Sequence, residues 1–131
     1  MPYLAGVILA AVVCGFATIA GLDRDRAFYP TITIVIASYY GLFAVMGGST
    51  RALLAESVGI AAFLIVAMIG FRKSLWLIVV ALAAHGVFDF VHANVITDPG
   101  VPSWWPPFCL AYDVVTAAYL AVRLRSGPVG R

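Results

Sequence analysis

Charged residues are scarce in this chain of 131 residues: Asp, Glu, Lys and Arg make up 11% of it, whereas 63% is hydrophobic. So little polar surface excludes an ordinary water-soluble domain of this size. The 8 basic residues form no stripe, and this excludes a nucleic-acid-binding surface. The chain has only 2 cysteines, Cys14 and Cys109, which lie far apart, and we expect no disulfide between them.

What the chain does contain is a series of long apolar segments. About 20 apolar residues span the hydrocarbon core of a bilayer, so the length allows five crossings with short connections. The sequence therefore predicts an all-α integral membrane protein, a compact bundle of five transmembrane helices that forms a single domain over residues 1–131. The predicted helices cover residues 3–22, 27–46, 51–71, 75–96 and 107–122, and an outer loop rich in Pro and Trp covers residues 97–107.

The basic residues predict how this bundle is oriented. With five crossings, the loops after the first and third helices and the C-terminus share one side. That side carries Arg24, Arg26, Arg72, Lys73, Arg123, Arg125 and Arg131, and the other side carries Arg51. By the positive-inside rule, we expect the N-terminus outside and the C-terminus in the cytoplasm of a plasma (inner) membrane. We interpret the charged segment 23–26 as a solvated turn that helps to set this topology.

Both histidines of the protein lie in the fourth predicted helix. At about 100° per residue, His85, Asp89 and His92 fall within an arc of roughly 60° on one helix face. Ionisable side chains inside a membrane face protein or a water-filled cavity and are usually functional. This face is therefore the first candidate for a functional site.

Two further acidic residues are predicted at the same depth in the membrane. At 1.5 Å per residue, Glu56 and Asp113 each lie about 9 Å from the outer end of their helices, and Asp89 lies about 10 Å from its own. Neither Lys nor Arg occurs in the helix interiors at that level. Because an isolated buried carboxylate is costly, these groups need partners, protons or a cation. We expect them to converge in one polar pocket in the outer half of the bilayer.

The residue types in this pocket fit two kinds of chemistry. Imidazole and carboxylate ligands suit Zn²⁺ or another divalent transition metal. The predicted metal ligands are His85, Asp89, His92 and Asp113, and the predicted catalytic acids and bases are Glu56, Asp89 and Asp113. The alternatives are a metal-free acid–base or proton-relay site, and a hydrogen-bond network that only joins helices.

Aromatic and sulfur-containing side chains are predicted to border the same pocket. The candidates for substrate binding or for a lid are Tyr39, Trp104, Trp105, Cys109 and Tyr112. Tyr39 and Tyr40 approach the pocket level together, and one of them is expected to face lipid. Trp104 and Trp105 fit an aromatic belt at the membrane surface as well as a rigid lid, and the two roles are compatible.

These features predict a small membrane-embedded enzyme that acts on a lipid-soluble molecule entering from the outer leaflet, by hydrolysis, isomerisation or cyclisation. One alternative is a transporter or channel subunit for protons or a metal cation, although the inner half of the predicted bundle is almost wholly apolar. The other is a cofactor- or pigment-holding subunit of a larger complex. The expected partners are membrane lipids, an apolar small-molecule substrate and, because a five-helix chain this small often self-associates, a second copy of itself.

Overall fold

Five long helices make up most of the protein. A computed structural model describes residues 1–127 and 129, and within them there is no β-strand. The helices are α1 (Pro2–Ala20), α2 (Phe28–Met46), α3 (Thr50–Arg72), α4 (Trp76–Val95) and α5 (Trp105–Ser126). Each is long and apolar enough to cross a membrane, so the prediction of an all-helical fold with five such helices is confirmed. Of the basic residues used to predict orientation, Arg131 lies outside the described residues.

The ends of the helices follow from residues that favour helix starts and stops. Pro2 is in the first turn of α1, where its missing N–H leaves no helical hydrogen bond unmade. Gly21 ends this helix with φ of 80°, a left-handed conformation that glycine adopts without strain. The side chain of Ser49 accepts a hydrogen bond from the backbone N–H of Ala52 at 3.1 Å and caps the start of α3. Helix α5 begins at Trp105, two residues before the predicted start at 107, with its two prolines in the first turn.

The helices do not pack in the order of the sequence. Helix α5 packs between α1 and α4, α4 packs also against α3, and α3 packs against α2, which touches α4 as well. Over the described residues, the backbones of α1 and α2 do not approach one another, although the two helices are consecutive. A gap between α1 and α2 therefore remains on one side of the bundle.

The contact between α1 and α5 is close because small residues of α1 face it. Gly6, Ala10, Cys14 and Ala17 are the buried residues of α1 and are spaced three or four apart. A Cβ atom at Gly6 would clash with the backbone carbonyl oxygen of Phe108. Small residues at this spacing allow two helix backbones to approach closely. This contact fixes the position of α5, which carries two residues of the polar site.

The loop between α4 and α5 is held against the end of α2. Gly100 lies so close to the carbonyl oxygen of Phe43 that no Cβ atom fits there. Asp98 accepts a hydrogen bond from the backbone N–H of Gly100 at 3.1 Å, which stabilises the turn. The loop then leads into Trp104 and Trp105 at the start of α5, and the ring centroids of Phe43 and Trp105 are 5.0 Å apart. The loop therefore places these aromatic side chains beside α2.

Candidate functional site

Five ionisable side chains are buried together between α2, α3, α4 and α5. Glu56, His85, Asp89, His92 and Asp113 are each at most 2% exposed. The predicted convergence of these residues agrees with their positions, since each of them contacts another member of the set or an intervening tyrosine. They form two groups, one around His85 and one around His92.

The first group is centred on the imidazole of His85. Its Nδ1 lies 2.6 Å from Oδ2 of Asp113 and 3.3 Å from Oδ2 of Asp89, which is one turn further along α4. The thiol of Cys109 donates to the same Oδ2 of Asp113 at 3.7 Å. Nε2 of His85 and Oδ1 of Asp113 are buried and have no hydrogen-bond partner among the described residues. The group therefore has ring-nitrogen and carboxylate positions that remain available to a ligand.

The second group is a carboxyl–imidazole pair. Nε2 of His92 lies 2.5 Å from Oε1 of Glu56, joining α4 to α3. His92 and His85 are seven residues apart, which is about 10 Å along the helix axis. One ion cannot be bound by both rings at that separation.

Tyr40 of α2 lies between the two groups. Its hydroxyl donates a hydrogen bond to Oδ1 of Asp89. Its ring stacks on that of His92, with the centroids 4.0 Å apart and the planes 14° from parallel. Tyr40 is fully buried, whereas its neighbour Tyr39 is 37% exposed. This resolves which of the two tyrosines enters the polar site.

A metal ion could be held by the first group but with a different donor set from the predicted one. One donor atom each from His85, Asp89, Cys109 and Asp113 can be chosen so that all four lie within 4.8 Å of one another. Cys109 thus takes the position that was predicted for His92, because the ring of His92 is turned towards Glu56 and lies two helical turns from His85. A mixed set of nitrogen, oxygen and sulfur donors of this number suits tetrahedral coordination of a transition metal.

The aromatic and sulfur-containing candidates all line one cleft. Tyr39, Trp104, Trp105, Cys109 and Tyr112 border a cavity of about 430 Å³ that occupies the gap between α1 and α2. The other walls are aliphatic or aromatic side chains such as Leu9, Val13 and Ile36. Cys109 belongs both to this cleft and to the group around His85. The cleft and the polar site are therefore adjacent at Cys109.

A third set of buried polar residues lies at the opposite end of the bundle. Asp23 is fully buried, accepts a hydrogen bond from the hydroxyl of Thr18 at 2.7 Å and lies 3.5 Å from Nε of Arg123. The hydroxyls of Thr18 and Tyr119 are 2.6 Å apart. The predicted solvated turn is therefore wrong for Asp23, which folds inward onto α5. The half of the bundle that was predicted to face the cytoplasm thus contains buried polar residues.

Tyr40 and Asp23 are the residues whose involvement sequence reasoning missed. For Tyr40 the signal was present, since its predicted depth matched that of the predicted pocket, but the sequence did not show which face of its helix is buried. For Asp23 the alternating charges of segment 23–26 predicted an exposed turn, whereas the side chain is buried.

Comparison of the chain with protein-family models, with curated proteins and with solved structures gives no match. A functional assignment therefore depends on the geometry of these sites.

Proposed function

We propose that the protein is an integral membrane enzyme that converts a lipid-soluble small molecule at the buried site around His85. The observation that carries this proposal is the convergence of His85, Asp89 and Asp113 in a water-excluded position beside an apolar cleft, with which this group shares Cys109. Catalytic sites commonly combine such a largely apolar pocket with a few convergent polar groups. The cleft opens where lipid would surround the bundle.

The membrane assignment is supported by the surface of the helices. Large apolar side chains such as Ile19, Val58 and Phe90 are at least 70% exposed, as expected where lipid is the solvent. Basic side chains cluster at the end formed by Arg24, Arg72 and Arg123, which the positive-inside rule assigns to the cytoplasm. On this proposal the site around His85 lies in the outer half of an inner (plasma) membrane.

Cysteine labelling tests this orientation. Ser103 and Ser126 are exposed at opposite ends of the bundle, whereas the two natural thiols are buried and give a low background. We expect a membrane-impermeant maleimide to label Ser103→Cys in intact cells and Ser126→Cys only after permeabilisation. Labelling in the reverse order would contradict the proposed sidedness.

The proposed chemistry uses a divalent transition metal, Zn²⁺ in the first instance, held by His85, Asp89, Asp113 and Cys109. Two carboxylates favour a cation at this position, because no Lys or Arg of the described chain contacts them. Such an ion polarises a carbonyl or water oxygen. Tyr40 connects this group to the Glu56–His92 pair, since it contacts both Asp89 and the ring of His92. In this proposal the Glu56–His92 pair accepts a proton and returns it to a leaving group.

Elemental analysis of the purified protein tests the metal. We expect about one zinc, iron, manganese or copper per chain in the wild type and a loss of that metal in Asp113→Asn. Asp25→Asn is the matched control, since Asp25 is exposed and lies at the other end of the bundle. A wild type without metal would overturn this part and leave acid–base chemistry by the same side chains.

Activity can be sought even though the substrate is unidentified. Purified protein is incubated with a total membrane-lipid extract, and the products are compared by mass spectrometry with those of Asp113→Asn. Addition of one water indicates hydrolysis, and a new species of equal mass indicates isomerisation or cyclisation. Identical extracts from the two proteins would contradict the enzyme proposal.

A second candidate function is transport of protons or of a metal cation. It is favoured by the buried residues at the opposite end, because Asp23 and Tyr119 extend polar groups towards the other surface. Cys14 and Thr116, whose side chains are 4.0 Å apart, lie between the two ends. Flux of protons or metal cations into proteoliposomes that is slowed by Asp23→Asn would support this function. Proteoliposomes with no more flux than protein-free vesicles would contradict it.

A further inference from the structure

A second cavity, the loop pocket, lies beneath the segment that joins α4 to α5. It measures about 330 Å³, and its polar lining residues are His92, Thr97, Asp98 and Ser103. Thr97 and Ser103 are exposed and lie beyond Val95, the last residue of α4, so the rim of the pocket is at the end of the bundle. The loop pocket therefore differs from the cleft between α1 and α2, none of whose lining residues is charged.

His92 is the one member of the buried ionisable set that lines the loop pocket. Its Nε2 contacts Glu56, whereas its Nδ1 makes no hydrogen bond with the described residues and is not completely buried. His85 differs, because its Nδ1 contacts Asp113 and its Nε2 is completely buried. A small molecule in the loop pocket therefore reaches His92 and not His85.

Polar groups connect the loop pocket to the rest of the buried site. Asp98, which lines the pocket, also interacts with the carboxyl group of Glu56. On the other side of His92, Tyr40 stacks on the imidazole and donates a hydrogen bond to Asp89. A cavity of this size with several polar lining groups can hold water. An imidazole between such a cavity and a carboxyl group can take up a proton at one ring nitrogen and release one from the other.

We propose that the loop pocket is an aqueous entrance, separate from the cleft, through which water and small hydrophilic molecules reach His92 from the outer solution. This inference rests on the proposed function, because it gives the Glu56–His92 pair a route for exchanging protons. A proton that Glu56 passes to Nε2 is balanced by a proton that leaves Nδ1 for water. The lipid-soluble substrate and the protons thus reach the buried site by different routes.

Modification of the wild type by diethyl pyrocarbonate tests this access. The reagent transfers a carbethoxy group to an imidazole nitrogen and releases carbon dioxide and ethanol. For protein in nanodiscs in mildly alkaline buffer, we expect one carbethoxylated histidine per chain, located at His92 by fragment masses, and none in His92→Gln. An unmodified His92 in the wild type would overturn the inference. Equal modification of His85 would also overturn it, because it would show that the reagent enters when the whole bundle opens.

Two tryptophan variants distinguish the loop pocket from the cleft as the route to His92. Ser103→Trp places a large ring at the exposed rim of the loop pocket. Val35→Trp is the matched control, because Val35 lines the cleft and is 46% exposed. We expect modification of His92 to slow severalfold in Ser103→Trp and to keep the wild-type rate in Val35→Trp. Slowing in Val35→Trp alone, or equal rates in all three proteins, would overturn the inference.

The modification is measured on the resting protein, so it requires neither a bound metal nor turnover. If His92 is modified through the loop pocket in a protein that converts no lipid, the proposed function fails and the aqueous entrance stands. If the protein converts a lipid while His92 stays unmodified, the entrance fails and the enzyme proposal stands. The two failures are therefore distinguishable.

Discussion

Nδ1 of His85 lies 2.6 Å from Oδ2 of Asp113, and this contact joins the middle of α4 to α5 across the centre of the bundle. Both side chains are almost completely buried. His92 contacts a different carboxylate, that of Glu56. The two histidines of the chain therefore have different partners, and they can be distinguished experimentally.

The first prediction concerns metal binding by the two histidines. Replacing His85 with Ala should abolish stoichiometric metal, because it removes the only imidazole of that donor set. His92→Ala should retain the metal while losing activity, because it disrupts the proposed proton-transfer pair. Elemental analysis of both variants beside the wild type measures the difference. Equal loss of metal from both would show that His92 is a ligand after all.

The second prediction concerns the hydroxyl of Tyr40. Tyr40→Phe keeps the ring that stacks on His92 and removes the hydrogen bond to Asp89. Loss of such a bond to a metal ligand typically lowers metal affinity or activity about 10- to 100-fold. Competition with a zinc chelator measures the affinity.

Tyr39→Phe is the matched control for Tyr40→Phe. Its side chain lies in the cleft and is partly exposed, away from Asp89. Metal affinity should therefore be unchanged in this variant. If both variants behave alike, Tyr40 has no special role in orienting the carboxylate.

The third prediction concerns the buried acid at the opposite end. Asp23→Ala removes the partner of Arg123 and of the Thr18 hydroxyl. Because the side chain of Arg123 is 21% exposed, the pair is only partly buried, and its loss should lower the free energy of unfolding by about 1–3 kcal/mol. Asp25→Ala, two residues away and exposed, should change it by less than about 1 kcal/mol. Unfolding in mixed micelles of increasing SDS content compares the two variants. Equal stability would show that the contacts of Asp23 with Arg123 and Thr18 contribute little to the free energy of unfolding.

The fourth prediction concerns the contact of α1 with α5. Gly6→Ala places a methyl group against the backbone carbonyl of Phe108 and should destabilise the bundle by about 1–3 kcal/mol. Gly15→Ala lies in the same helix with no atom near the added methyl, so it should be neutral or slightly stabilising. The rate of maleimide labelling at Cys14, which is buried in the contact, should rise in the first variant only. A similar labelling rate in both would mean that the helices do not depend on this close approach.

Much of the architecture follows from sequence because the physical signals are local. Long apolar runs separated by Gly, Pro and charged residues predict the five helices. The spacing of His85, Asp89 and His92 places all three on one face of α4, and burial of all three agrees with this. These conclusions do not depend on which helix is adjacent to which.

The partners of each polar side chain were decided only by tertiary structure. The rotation of an apolar helix about its own axis is weakly specified when every face is apolar, so sequence alone did not distinguish Tyr39 from Tyr40. The order of packing, with α5 between α1 and α4, joins His85 to Asp113 and brings Cys109 into the same group. The same order leaves α1 and α2 apart and opens the cleft.

Residue identities and helical periodicity thus predicted five apolar helices, a similar depth for Glu56, Asp89 and Asp113, and both histidines in the same half of the bundle. Which of them touch, and that Asp23 folds inward to meet Arg123, depended on contacts between segments far apart in the chain. Such contacts are set by how closely neighbouring backbones approach and by the need of each buried polar group for a partner. Neither condition can be read from one helix at a time.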